Sequence, residues 1–122
     1  LMAIKNGFET KFLSLNHYVS EYEHICHTLG DILGNANRFE DGIAVGMDGM
    51  KIALRNGMES TLSCMLYDCG WNMEHLWGEK YTTEISLQYM KACYYLHTVY
   101  GRIRDINFVK KHIKDVYGLE LI

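Results

Sequence analysis

Eight apolar residues, Phe8, Phe12, Leu15, Val19, Tyr22, Cys26, Leu29 and Leu33, recur along the chain at alternating spacings of four and three. Only an α-helix keeps such a series on one side. Tyr18, Ile25 and Ile32 follow along one flank at a spacing of seven. They widen the apolar sector beyond the narrow seam of an isolated two-stranded coil, so the helix is expected to pack against two neighbours in a bundle. Asn6 and Glu9 form a capping pair at its start, and Gly34 offers a left-handed residue at its end. These signals predict a first helix from about Gly7 to Leu33, with Gly30 as a weak point.

The segment from Gly34 to Gly42 contains Asn35, Asn37, Arg38, Glu40 and Asp41 and reads as a loop. Beyond it two patterns compete. Ile43, Met47, Met50 and Leu54 have helical spacing, yet Gly46 and Gly49 would each cost about 1 kcal/mol relative to Ala inside a helix. A hairpin turning at Asp48-Gly49 instead pairs Ile43 with Leu54, Val45 with Ile52 and Met47 with Met50 on one face, and Asp-Gly suits a two-residue turn. The hairpin over about 43–54 is the preferred expectation. Leu62, Met65, Leu66 and Cys69 predict a short helix over 58–69, ended by Gly70, and Trp71 to Lys80 reads as a turn region holding Trp71 and Trp77.

Thr82 or Thr83 can cap a last helix, with Glu84 favourably placed in its first turn. Its stripe is Ile85, Tyr89, Ala92, Leu96, Val99, Ile103 and Ile106. Run unbroken to Tyr117 the helix would be about 50 Å long, more than a domain of this size accommodates. A break near Gly101 or at Asp105 is therefore expected. Leu87, Met90 and Tyr94, continuing to His97, make a second apolar strip on the opposite side. A helix apolar on two faces is either central in a bundle or shared with another chain. The fold expectation is a mainly α protein, one compact domain over 1–122 of three to four helices with one short β-hairpin.

Composition changes this picture little. At 122 residues, 48% hydrophobic and 22% charged, the chain is large enough to bury a core without metals or disulfides. No apolar run approaches the 18 or more residues of a membrane span, no signal peptide is expected, and Leu1 before Met2 reads as an addition in front of the native start. Cys26, Cys64, Cys69 and Cys93 show no CxxC pair. Three of them lie in apolar helical patterns, as reduced thiols of a cytoplasmic protein do, while Cys64 and Cys69 could pair in an exported one. Charge is uneven. Up to Met90 there are twelve acidic and six basic residues, and from Lys91 onward six basic and three acidic. The acidic body argues against general nucleic-acid binding. The basic end, Arg102, Arg104, Lys110, Lys111 and Lys114, is better read as cations complementing a helix C-terminus before Gly118 than as a phosphate-binding patch.

Chemical signatures are sparse. His17, Glu21 and His24 share one helix face, and Glu21 to His24 has the Glu-x-x-His spacing of carboxylate-bridged di-metal bundles. A second such motif is missing from the sequence and the stripe lies opposite the apolar face, so the expectation is that no metal binds there. His75 and His97 read as turn and core histidines. There is no Gly-rich phosphate loop and no nucleophile elbow. With nine tyrosines and two tryptophans, residue types that anchor protein interfaces, the expected function is a non-enzymatic protein-binding regulator that masks or bridges a protein partner and self-associates as a homodimer. Its interface is expected at Leu87, Met90, Tyr94, Tyr95, Trp71 and Trp77, without cofactor. At the level of class alone, this small acidic profile is similar to phage-encoded inhibitors of bacterial defence such as anti-CRISPR proteins. The alternatives are a metal-binding helical bundle using His17, Glu21 and His24, and a nucleic-acid-binding regulator using the basic C-terminal segment.

Overall fold

The computed structural model describes Met2 and residues 19–57, 59–77 and 84–121. These residues form five helices and no strand: α1 (Val19–Asn35), α2 (Phe39–Arg55), α3 (Glu59–Trp77), α4 (Glu84–Val99) and α5 (Ile103–Tyr117). Each helix packs on the next, and α1 also touches α3. The protein is mainly helical, as its apolar periodicity predicts. The front of the predicted first helix, including Phe8, Phe12, Leu15, His17 and Tyr18, lies outside the described residues.

In α1 the four-three stripe faces inward. Tyr22, Cys26, Leu29 and Leu33 are buried and meet Val45 and Ile52 of α2. The widened flank is only half realised, since Ile25 is partly buried and Ile32 is exposed. Gly34 does not end the helix. Asn37 takes the left-handed conformation instead, with φ 62°, and the end is closed by Arg38 N–H on the Leu33 carbonyl at 2.8 Å and Asn37 N–H on that of Gly34 at 3.0 Å. That pair of bonds satisfies carbonyls which a helix end otherwise leaves open.

Residues 43–54 are helical, so the expected hairpin is wrong. The glycines that suggested a turn serve close packing. A Cβ at Gly46 would stand 2.5 Å from Cys69 Sγ, and one at Gly49 would overlap Met65 Sδ and lie 2.9 Å from Cys26 Cβ. Gly42, Gly46 and Gly49 thus let α2 approach α3 and α1 more closely than any side chain permits, and dense packing across that surface offsets their low helix propensity. Met50 and Ala53 of α2 meet Met65, Cys69 and Met73 of α3 there.

The predicted stop at Gly70 also fails. α3 runs through it to Trp77, because a small residue is needed where Met90 Cε comes within 3.0 Å and Tyr89 Cβ within 3.4 Å of where a Cβ would be. Trp71 to Trp77 is therefore helix and not turn. The break near Gly101 is present. Gly101 has φ 66°, Gly101 N–H binds the Thr98 carbonyl at 3.1 Å and Arg102 N–H that of His97 at 3.0 Å, and α5 folds back over α3 and α4. Val109 and Ile113 of α5 close a third core with Met90, Cys93, Leu66, Tyr67 and Trp71. No helix among the described residues is long and apolar enough to cross a membrane.

Candidate functional site

α3 packs against α1, α2 and α4 and meets side chains of α5, and several of its polar residues face these neighbours. Ser63, Asp68, Asn72 and Glu74 are all buried. A buried polar group is costly unless hydrogen-bonded, and a buried charge more so. The two carboxylates point to different helices.

Glu74 faces α5. His112 Nε2–H donates to both of its oxygens, at 2.8 and 3.0 Å, and the Tyr117 hydroxyl donates to Oε2 at 2.5 Å. Ser86 Oγ of α4 lies 2.8 Å from the same hydroxyl. Burial and the Glu74 carboxylate push the Tyr117 phenol well above its usual range. This network joins three helices with its donors and acceptors matched.

Asp68 faces α1. His27 Nδ1–H donates to its Oδ2 in a close contact, and Asp31, one turn beyond His27, places Oδ2 at 3.9 Å from His27 Nε2. Burial pushes the Asp68 carboxyl up to about 6, partly countered by His27. The same hydrogen bond raises the His27 imidazole above its usual range, against the effect of its own burial. Each partner thus holds its proton more tightly than it would in water. One ligand atom from each of His27, Asp31 and Asp68 falls within 4.8 Å of the others.

Two clefts open beside this trio and share Tyr67 and Asp68. One, of about 250 Å³, is lined by Asp31, Gly34, Asp68, Trp71 and Asn72 among others. Asn72 is 1% exposed, and its Oδ1 has no hydrogen-bond partner among the described residues. The second, of about 150 Å³, is lined by His27, Cys64, Asp68, His97 and Asp105 among others. His97 Nδ1 is likewise buried without a hydrogen-bond partner among the described residues, with Asp105 Oδ2 at 4.0 Å. Burial holds the His97 imidazole below its usual range.

Of the residues expected to act from sequence, Leu87, Met90, Tyr94 and Trp71 come together on the third core. Leu87, Met90 and Tyr94 point inward: Met90 is fully buried and the other two pack on the third core. They serve the core of this chain, while Ile85, Tyr95 and Val99 of α4 meet solvent and Tyr89 packs on the second core. Trp71 stacks on His75 with ring centroids 3.7 Å apart, and Phe39 leans on both rings. Tyr95 is exposed, and the Trp77 side chain lies outside the described residues. The residues of the basic segment have different surroundings, and Lys110, Lys111 and Lys114 line one cleft. Arg102 turns inward, donating to Ser63 Oγ at 3.0 Å with its guanidinium over the Tyr100 ring. Lys111 and Lys114 are 3.9 Å from Asp115 and 2.8 Å from Glu120, and Arg104 and Lys110 are exposed. Glu21 and His24 are exposed too. All four thiols are free; Cys26, Cys69 and Cys93 are buried and Cys64 is exposed. Burial pushes the Cys69 and Cys93 thiols up to about 12, which keeps them protonated and unreactive.

Sequence reasoning missed the trio. His27 and Asp31 stand at the same i, i+4 spacing as His17 and Glu21, which was the available signal, but Asp68 lies 41 positions away. Comparison with protein-family models, with curated proteins and with solved structures finds no match to this chain.

Proposed function

We propose that the protein is a non-enzymatic protein-binding regulator that masks or bridges a partner through the outer face of α4. The observation that carries this reading is a group of exposed apolar side chains along one side of the helix. Ile85, Tyr95 and Val99 are 55%, 66% and 59% exposed, and with Gln88 and half-buried Ala92 they occupy positions three and four apart along one side. Tyr100 and Ile103, also exposed, continue it around the turn. Isolated apolar residues on a surface are ordinary, but the grouping of Tyr95, Val99, Tyr100 and Ile103 at one end of the helix favours a docking site. The spacing suits a helix as the occupant, seated as in a coiled-coil seam.

A second copy of the chain presents the same strip, and two-fold pairing would bury both at once. The homodimer is thus the first complex expected, with other protein partners competing for the same face. Masking of a bacterial-defence complex, in the manner of anti-CRISPR proteins, is the biological class that this size and charge profile resembles.

The test is Val99→Asp and Tyr95→Asp, examined by light scattering and circular dichroism. Both residues are exposed, so the variants should keep the wild-type helical signal while the dimer associates at least tenfold more weakly, because a charge in the seam would be buried unpaired. A wild type that stays monomeric at high concentration and whose partner capture is indifferent to both changes overturns the reading.

A further inference from the structure

We infer that His27, Asp31 and Asp68 form a binding site for a divalent transition-metal ion, with His27 Nε2 and Asp31 Oδ2 as ligands and Asp68 orienting the imidazole. This goes beyond the docking face of α4, which lies on different residues and does not depend on the ion.

The arrangement follows from the helices. His27 and Asp31 project from one side of α1, four residues apart, and the neighbouring Cys26 and Leu29 are buried in the core, which fixes that helix in place. Asp68 comes from α3 and is 8% exposed. Its contact with Nδ1 sets the tautomer and leaves Nε2 directed away from it, the arrangement found where a carboxylate supports a metal-bound histidine. The 3.9 Å from Nε2 to Asp31 Oδ2 is longer than a hydrogen bond. Two ligands with bonds of about 2.1 Å on a tetrahedral ion stand about 3.4 Å apart, so a side-chain shift of about half an ångström brings both donors onto one ion.

A second observation lies beside the two carboxylates. Asn72, one turn beyond Asp68, lines the cleft with Asp31 and Asp68, and its buried Oδ1 lacks a hydrogen-bond donor among the described residues. Water bound to a cation is a strong donor, and the cleft has room for it. Asp31, half exposed at the rim, gives the ion a route in. An imidazole beside two carboxylates selects Zn²⁺ or Mn²⁺ over Mg²⁺ or Ca²⁺, which prefer oxygen donors alone.

Titration calorimetry of the full chain with Zn²⁺, Mn²⁺ and Mg²⁺ tests the site. One equivalent of Zn²⁺ or Mn²⁺ should bind, with Mg²⁺ at least tenfold weaker. Asp31→Asn changes an exposed side chain and should lower the affinity tenfold or more with circular dichroism unaltered, and His27→Gln should do at least the same. Should His27→Gln fail to fold, Asp31→Asn decides alone. Cys64→Ser should leave binding within twofold, because the thiol lines the neighbouring cleft and is not a ligand. Absence of binding at millimolar metal, binding that survives Asp31→Asn, binding lost in Cys64→Ser, or equal affinity for Mg²⁺ would each overturn the assignment. The dimer test above is read on the α4 variants, so the two proposals fail separately.

Discussion

Asp68 and Glu74 are two buried carboxylates on one helix, six residues apart, and they are built to different ends. Glu74 is enclosed by His112 and Tyr117, with Ser86 behind the phenol, so its charge is met by aligned donors from α5. Asp68 has one close partner, His27, and borders two open clefts with a second carboxylate nearby. Asn72 and His97, which line those clefts, each keep a buried polar atom without a hydrogen bond among the described residues. A closed network contributes to stability; an incompletely satisfied one costs stability and is retained where a ligand is bound. The contrast separates a structural fastener from the candidate site.

Replacement of each carboxylate gives the largest expected difference. Glu74→Ala strands the His112 and Tyr117 donors and opens a cavity, and should destabilise the protein by about 3 to 5 kcal/mol in urea melts at pH 7. Asp68→Asn should change stability by no more than about 1 kcal/mol, because burial already opposes the charge of Asp68 and the amide keeps an acceptor for His27. Equal losses in the two variants would erase the distinction. A smaller effect belongs to Tyr117→Phe, which removes one donor from Glu74 and one partner from Ser86 and should cost about 1 to 1.5 kcal/mol, read as a lower urea midpoint at constant slope.

The smallest effect concerns pH. His97 has its imidazole held below the usual range by burial, with Asp105 opposing that shift and Arg102 adding to it, and it shares a cleft with His27, Cys64 and Asp68. The unfolded chain therefore takes up the His97 proton first as pH falls below about 6.5, and stability is lost in that direction. Between pH 7 and 5.5 the wild type should lose more stability than His97→Gln, which cannot take the proton. Parallel curves for the two proteins would show that His97 is already satisfied.

Some features were legible because they are local. The stripe from Tyr22 to Leu33 has one apolar side and one orientation that buries it, and that side is the buried one. The length of the last apolar pattern forced a break, and Gly101 is where a left-handed residue costs least. Three of the four cysteines lie in apolar helical patterns, and Cys26, Cys69 and Cys93 are buried.

Other features depend on a neighbour that no local pattern names. Gly46 and Gly49 have the composition of a turn, and only the approach of Cys69, Met65 and Cys26 makes them contact points within a helix. The last helix carries two apolar strips, and periodicity cannot choose between them. The positions of α3 and α5 turned Met90 inward and left Ile85, Tyr95 and Val99 outside. Asp68 reaches His27 because α1 and α3 pack against each other across 41 residues of chain. The sequence by itself determined helical character and the inward side of α1, since both follow from the angle between successive residues about one axis. Which glycines are contacts, which apolar residues of α4 are surface and which acid meets which histidine were decided by tertiary structure, because each depends on the distance between helices.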